Sequence, residues 1–354
     1  MSNPTLENTT KKFSKEYINP YFFLNDDASA ITTDFSMLTS IRYDPSLADS
    51  NDSSCEFFLF NEHFNRLKFQ LAFFKWDIEL IREILLQKLI ETIDNVKRIE
   101  LEKLIVNARE KNIDEQYLSS ELENQSYKMR VTIDRKGNVT IGASRAVDRP
   151  NLMDALVEYV PHQFHHQSKF PQGPQIKESN SNPNLNNDQA ENDISIDFTP
   201  SFNQFPPDDQ NTLSIPAPLP PPAILTYSLY LDTQPTPISM FTSFKTTYRP
   251  HYTQARSRAL ANPNDYSIRQ DVIMYNSAGQ VMETSIANLA FKRQGKWITP
   301  QISSGGLCGV VRQMLITKCL VEEGNVLMKD VQIGEEVLFM NGVVGVARGV
   351  VASS

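Results

Sequence analysis

Four short stretches of this chain carry residue types that could do chemistry together. Lys245 stands in FTSFKTTYRPHY, with Phe241 and Phe244 before it. Aromatic neighbours can strip water from an amine, which lowers its pKa and makes it a nucleophile or base at neutral pH. Spacing alone fits a surface lysine equally. Glu283, in NSAGQVMETSIANLAF, follows the apolar pair Val281 and Met282. A carboxylate there suits either burial against a cation or an edge strand. In SSGGLCGVVRQMLI, glycines lead into an amphipathic run. A helix N-terminus with free amides is an anion site, and glycine lets a phosphate approach; a plain turn before a helix reads the same way. Arg66, in EHFNRL, could clamp a phosphate with two parallel hydrogen bonds or simply sit solvated on a helix.

These groups need elements to position them. Residues 61–76 place Phe64, Leu67, Leu71 and Phe74 on one face of a helix, and the same helix carries Arg66. Asp77 is the expected cap of a second helix to about Ile93, and a third, charge-laced helix is expected from Ile99 to Lys111. YKMRVTID and VTIGASRA read as a hairpin turning at Lys136-Gly137-Asn138. Later, ILTYSLYLD reads as a strand and Tyr252–Leu260 as a helix. DVIMY, VMETSIANLAF and WITP read as β-like runs, separated by turns at Asn276–Gly279 and KRQGK. A helix is expected from Gly309 to about Leu320, then short β-like runs to the end. There is no internal repeat.

Length and composition bound the reading. The 354 residues suffice for two ordinary domains, and 40% hydrophobic with 21% charged residues is normal for a globular chain. A net charge of −8 argues against a nucleic-acid binder, which needs a clustered basic surface. The polar stretch Met1–Tyr17 lacks the apolar core of a signal peptide, and no run of about 18 apolar residues suggests a membrane span. Three cysteines, Cys55, Cys308 and Cys319, do not suggest a disulfide framework, so a cytoplasmic setting is expected. No CxxC or HExxH pattern offers a metal site. From 163 to 222 the chain is rich in Asn, Gln, Pro and Ser, and is expected to be a disordered linker or insertion. His162, His165 and His166 read as part of a polar run rather than as metal ligands. The expected division is an N-terminal α+β domain (1–162), this linker (163–222) and a C-terminal cofactor-binding domain (223–354).

Taken in order, the four stretches resemble the fold-type IV pyridoxal-phosphate enzymes, the family of branched-chain and D-amino-acid aminotransferases and aminodeoxychorismate lyase. The family's His-x-x-Arg-Leu core appears with His63 and Arg66. Its Asn-x-x-Gly-x-x-Glu-x-x-x-x-Asn stretch appears with Asn276, Gly279, Glu283 and Asn288. Its Thr-Pro and Gly-x-Leu-x-Gly runs appear as ITP and GGLCGVVR, and EVLFMNGVVGV looks like its final phosphate loop. The likeness covers about 35–160 and 223–354. LTSIRYDP, YKMRV and FTSFKTTYR are most similar to the fungal lyase branch. Two departures stand out. The branched-chain aminotransferases carry a tyrosine five residues after the lysine, where this chain has Pro250. A usual threonine on the phosphate helix is Val311 here.

The resemblance implies an α+β fold with two α/β domains and the active site between them, and pyridoxal 5'-phosphate as cofactor. Lys245 would carry the cofactor as a Schiff base and then act as general base, and Glu283 would partner the pyridine nitrogen. Arg66, the amides of Val310 and Val311, and the Asn341-Gly342 loop would hold the phosphate. Arg130, Thr39 and Ser40 would face the substrate. The implied reaction converts 4-amino-4-deoxychorismate to 4-aminobenzoate and pyruvate, for folate biosynthesis. A branched-chain or D-amino-acid aminotransferase of the same fold is the alternative. The implied partner is a small-molecule substrate, and bacterial members are homodimers.

Overall fold

A computed structural model describes residues 33–49, 52–109, 120, 122–149, 151–156 and 224–353. The expectations for 163–222 and for His162, His165 and His166 fall outside them. The first described strand, β1 (Met37–Tyr43), is followed by α1 (Phe60–Phe73) and the long α2 (Arg82–Arg109). Strands β2 (Tyr127–Ile133) and β3 (Val139–Arg145) form the expected hairpin. Gly137 supplies its turn with φ +85°, a backbone region that suits a residue without Cβ. The three strands make an antiparallel sheet in the order β1-β2-β3. Side-chain alternation divides its faces. Met37, Ile41, Tyr127, Met129 and Val131 are buried in one cluster with Phe60, Phe64 and Leu67 of α1. Ser40, Arg42, Lys128 and Arg130 occupy alternate positions and line a cavity.

The helices after α1 depart from expectation. Asp77 does not cap a helix: after Lys75, which has φ +54°, the chain has no regular secondary structure until Arg82. Ile78 and Leu80 from this irregular piece pack on the aromatic core, and that burial outweighs local helix propensity. The two helices expected at 77–93 and 99–111 are one continuous element, since no glycine or proline interrupts Arg82–Arg109.

The remaining strands build one mixed sheet. They are β4 (Thr226–Leu231), β5 (Gln270–Tyr275), β6 (Val281–Thr284), β7 (Asn288–Arg293), β8 (Lys296–Pro300), β9 (Glu322–Gly324), β10 (Glu336–Asn341) and β11 (Gly345–Val351). Their order is β6-β5-β4-β11-β10-β7-β8-β9, with β4 parallel to both β5 and β11. Central strands buried on both faces account for their nearly continuous apolar runs. One face, with Leu229, Ile273, Phe291 and Phe339, forms its own cluster. The other is covered by α4 (Pro250–Ala259), packed on Val272 and Met274, and by α5 (Val310–Thr317), packed on Ala290, Leu338 and Met340. A single turn of helix, α3 (Met240–Ser243), precedes Lys245. The described parts on either side of 163–222 belong to one compact unit.

Candidate active site

The edge of β1 gathers the chemistry. Leu38 N–H donates to Lys245 O at 2.9 Å, and four residues on, past Ser40, Arg42 N–H donates to Gly342 O at 3.0 Å. One strand edge thus holds the lysine segment at one end and the β10–β11 turn at the other. Gln70 of α1 adds a donor to Lys245 O at 3.0 Å. Between these supports lies a cavity of about 600 Å³. Ser40, Arg66, Arg130, Lys245, Glu283, Val310, Asn341 and Gly342 all line it. Thr39 is fully buried on the other face of β1, where it touches α1. Val311 of α5 is fully buried in the cluster beneath the helix and is not among the residues lining the cavity.

One end of the cavity suits an anion. Thr39 Oγ1 accepts from Arg66 Nη2 at 2.8 Å and lies 2.7 Å from His63 Nδ1. Arginine has no acceptor, so the threonine proton is free for His63 Nδ1 and the ring proton belongs on Nε2. Burial, with Arg66 and Lys245 nearby, holds His63 well below its usual pKa and keeps it neutral. Its Nε2 is buried with no protein partner. It stands against Gly342, where an added Cβ would come within 2.6 Å of the imidazole. Helix α5 has no side-chain cap, so its first amides are unfilled. Asn341 closes the turn: its Oδ1 accepts from the amides of Val343 and Val344, and its Nδ2 donates to Ile286 O at 3.2 Å.

The other end is a buried carboxylate. Glu283 is 3% exposed and accepts from Tyr252 Oη at 2.5 Å and from Asn288 Nδ2 at 3.3 Å. Burial pushes its pKa up to about 7, against the lowering effect of Tyr252 and the Leu307 amide. Lys245 lies between the ends. Loss of hydration, helped by Arg66 and Arg249, brings it down to about 7. Both groups can therefore gain or lose a proton near neutrality, as acid–base chemistry requires.

Several contributors carry no signal in the local sequence. Tyr252 reaches Glu283 across 31 positions of chain. Arg249 donates to Ser285 O at 2.6 Å and lies 4.3 Å over the Tyr252 ring. Arg42, almost wholly buried, donates to Asp44, Ser126, Val147 O and Val343 O, tying the small sheet to the β10–β11 turn.

A family model described as amino-transferase class IV matches residues 180–350. Over that stretch, just under half of its length, the chain is similar to the class IV amino-transferase family. A Saccharomyces cerevisiae relative named aminodeoxychorismate lyase is 27% identical over 310 residues, which is 83% of this chain and 67% of that protein. A Schizosaccharomyces pombe relative, provisionally given the same name, is 40% identical over 129 residues, 35% of this chain and 54% of that protein. Among solved structures, a branched-chain aminotransferase from Thermoproteus uzoniensis aligns with TM-score 0.50 at 13% identity, covering 90% of this chain and 78% of that one. That likeness shows the fold, fold-type IV.

The cofactor of class IV members is pyridoxal phosphate, and the cavity fits it. Its phosphate needs donors, and one end offers the orphaned His63 Nε2, Arg66 and the α5 amides. Its aldehyde needs a poorly hydrated amine, and its ring nitrogen a buried acid. Lys245 and Glu283, both lining the cavity, are of the types that would meet these needs. No described helix is long and apolar enough to cross a membrane.

Proposed function

We propose that this protein is an aminodeoxychorismate lyase, splitting 4-amino-4-deoxychorismate into 4-aminobenzoate and pyruvate. The observation that carries the reading is Lys245, enclosed in a cationic cavity opposite the buried Glu283. The names of the two yeast relatives, and Pro250 in place of the branched-chain enzymes' tyrosine, favour the lyase over an aminotransferase.

Arg66, the amides of Val310 and Val311, and the Asn341-Gly342 turn hold the cofactor's phosphate. Glu283 holds a proton at its ring nitrogen, and Tyr252 and Asn288 fix the carboxylate for that contact. Bound there, the cofactor supplies an electron-withdrawing ring that accommodates the electron pair of a carbon losing its proton. Lys245 would hold the cofactor covalently through Nζ until substrate binds. Its freed Nζ takes the proton from the carbon bearing nitrogen. The carbon–oxygen bond to the enolpyruvyl group then breaks, the ring becomes aromatic, and Lys245 returns the proton to the methylene carbon of the departing pyruvate. Arg130, Ser40 and Thr39 form the substrate side, Thr39 acting through Arg66 and His63.

The reading keeps the division at 1–162, 163–222 and 223–354, a cytoplasmic setting and a homodimer, which sedimentation would test. The test of function is incubation of purified, cofactor-loaded protein with aminodeoxychorismate. Fluorescent 4-aminobenzoate and equimolar pyruvate are expected. Transamination of branched-chain or D-amino acids with 2-oxoglutarate, without that product, would assign the aminotransferase alternative. Borohydride reduction and peptide mapping should place the pyridoxyl group on Lys245.

A further inference from the structure

The small sheet presents the cavity with more positive charge than a cofactor phosphate needs. Lys128 and Arg130 project from one face of β2, while Tyr127, Met129 and Val131 between and beside them are buried. Strand rise sets the two cations roughly 7 Å apart. Arg130 pairs with Ser40 of β1 and Lys128 with Arg42, while β1 meets the lysine segment at Leu38. Arg130 therefore stands one step from the reacting end and Lys128 two.

The opposite wall contributes Arg249. One of its N–H groups is spent on Ser285 O, and its guanidinium plane rests on Tyr252. Lys128, Arg130 and Arg249 all line this one cavity, and Lys128 is held below the ordinary lysine pKa, first by lost hydration, then by Arg130 and Arg249. Among the described lining residues the only carboxylate is Glu283, already engaged by Tyr252 and Asn288. Cations gathered without acids repel one another until an anion joins them.

We propose that Lys128 and Arg249 form a second carboxylate subsite beyond Arg130, so that the cavity selects ring compounds bearing two carboxylates. The proposal rests on the lyase reading, whose substrate has two carboxylates. A dianion is drawn in by charge and then oriented at two points, which fixes the amine toward Lys245. A monoanion is held at one point only.

Calorimetric titration of the cofactor-loaded full chain with isophthalate and with benzoate tests this. The wild type should prefer isophthalate by at least about tenfold. Lys128→Met and Arg249→Met should each bring the ratio close to one, and Lys128→Arg should restore it. A ratio unchanged in both Met variants, or no preference in the wild type, overturns the subsite. The 4-aminobenzoate assay on the same samples separates the two claims. A wild type that makes no 4-aminobenzoate, but whose dianion preference collapses in the variants, removes the lyase reading and supports the subsite. Full turnover with an unchanged KM for aminodeoxychorismate in Lys128→Met removes the subsite and leaves the lyase standing.

Discussion

A lysine ammonium is normally well hydrated, and Lys245 has lost that water to Phe244, α1 and the cavity wall. Only the neutral amine attacks an aldehyde. With a pKa of about 7 in the cofactor-free protein, half of Lys245 is reactive at pH 7. An ordinary lysine would have well under about 0.1% in that form. Covalent capture of added cofactor by cofactor-free protein should therefore accelerate from pH 5 to about 7 and then level off, as read by stopped-flow absorbance. A rate still climbing at pH 9 would mean the amine is not desolvated. Glu283→Gln keeps the shape and one of the two accepting oxygens but cannot hold the extra proton at the ring, so cofactor should still bind while turnover falls by about 100-fold or more. Equal turnover would show the acid has been misplaced. At this scale Lys245, Glu283 and Arg66 were legible because each sits in a contiguous stretch whose residue types carry meaning together. Tyr252, Arg249 and Arg42 were not, because their roles arise from contacts between segments far apart in the chain.

Elements were legible where one period dominates. The β2–β3 hairpin, α1, α4 and α5 follow from alternation, helical spacing and their flanking Gly or Pro. The break at 77–81 was not, because Ile78 and Leu80 satisfy a core rather than a local pattern. VMETSIANLAF divides into β6 and β7 around a turn at Ser285–Ala287 for a similar reason. Asp271, wholly buried, accepts from Ser285 Oγ at 2.5 Å, from the Ile286 amide at 3.2 Å and from Arg256 at 3.1 Å. That carboxylate shapes the turn on which Arg249 and Asn341 both rest. Asp271→Ala leaves Arg256 buried without its counter-charge, and should cost about 3 kcal/mol or more in urea unfolding. Cofactor affinity should fall with it, since the turn lines the cavity.

At the scale of the molecule, Leu156 and Ile224, which flank the Asn/Pro-rich stretch, pack against the same apolar cluster under α5. The chain leaves and re-enters the core at one place. Joining the two ends by a shorter path changes loop-closure entropy only slowly with length. Deleting residues 170–215 should leave the unfolding midpoint and the 4-aminobenzoate rate within about twofold of the full chain. Loss of folding would show that the stretch packs on the core. The large sheet is less forgiving. Its middle is occupied by β11, the last of the described strands, which bridges β4 and β10. During synthesis, β4, β5 and β6 emerge on one side of a gap and β7 through β10 on the other. Neither half can be closed until residues 345–351 have left the ribosome, so the nascent chain must wait, with two open sheet edges, for β11.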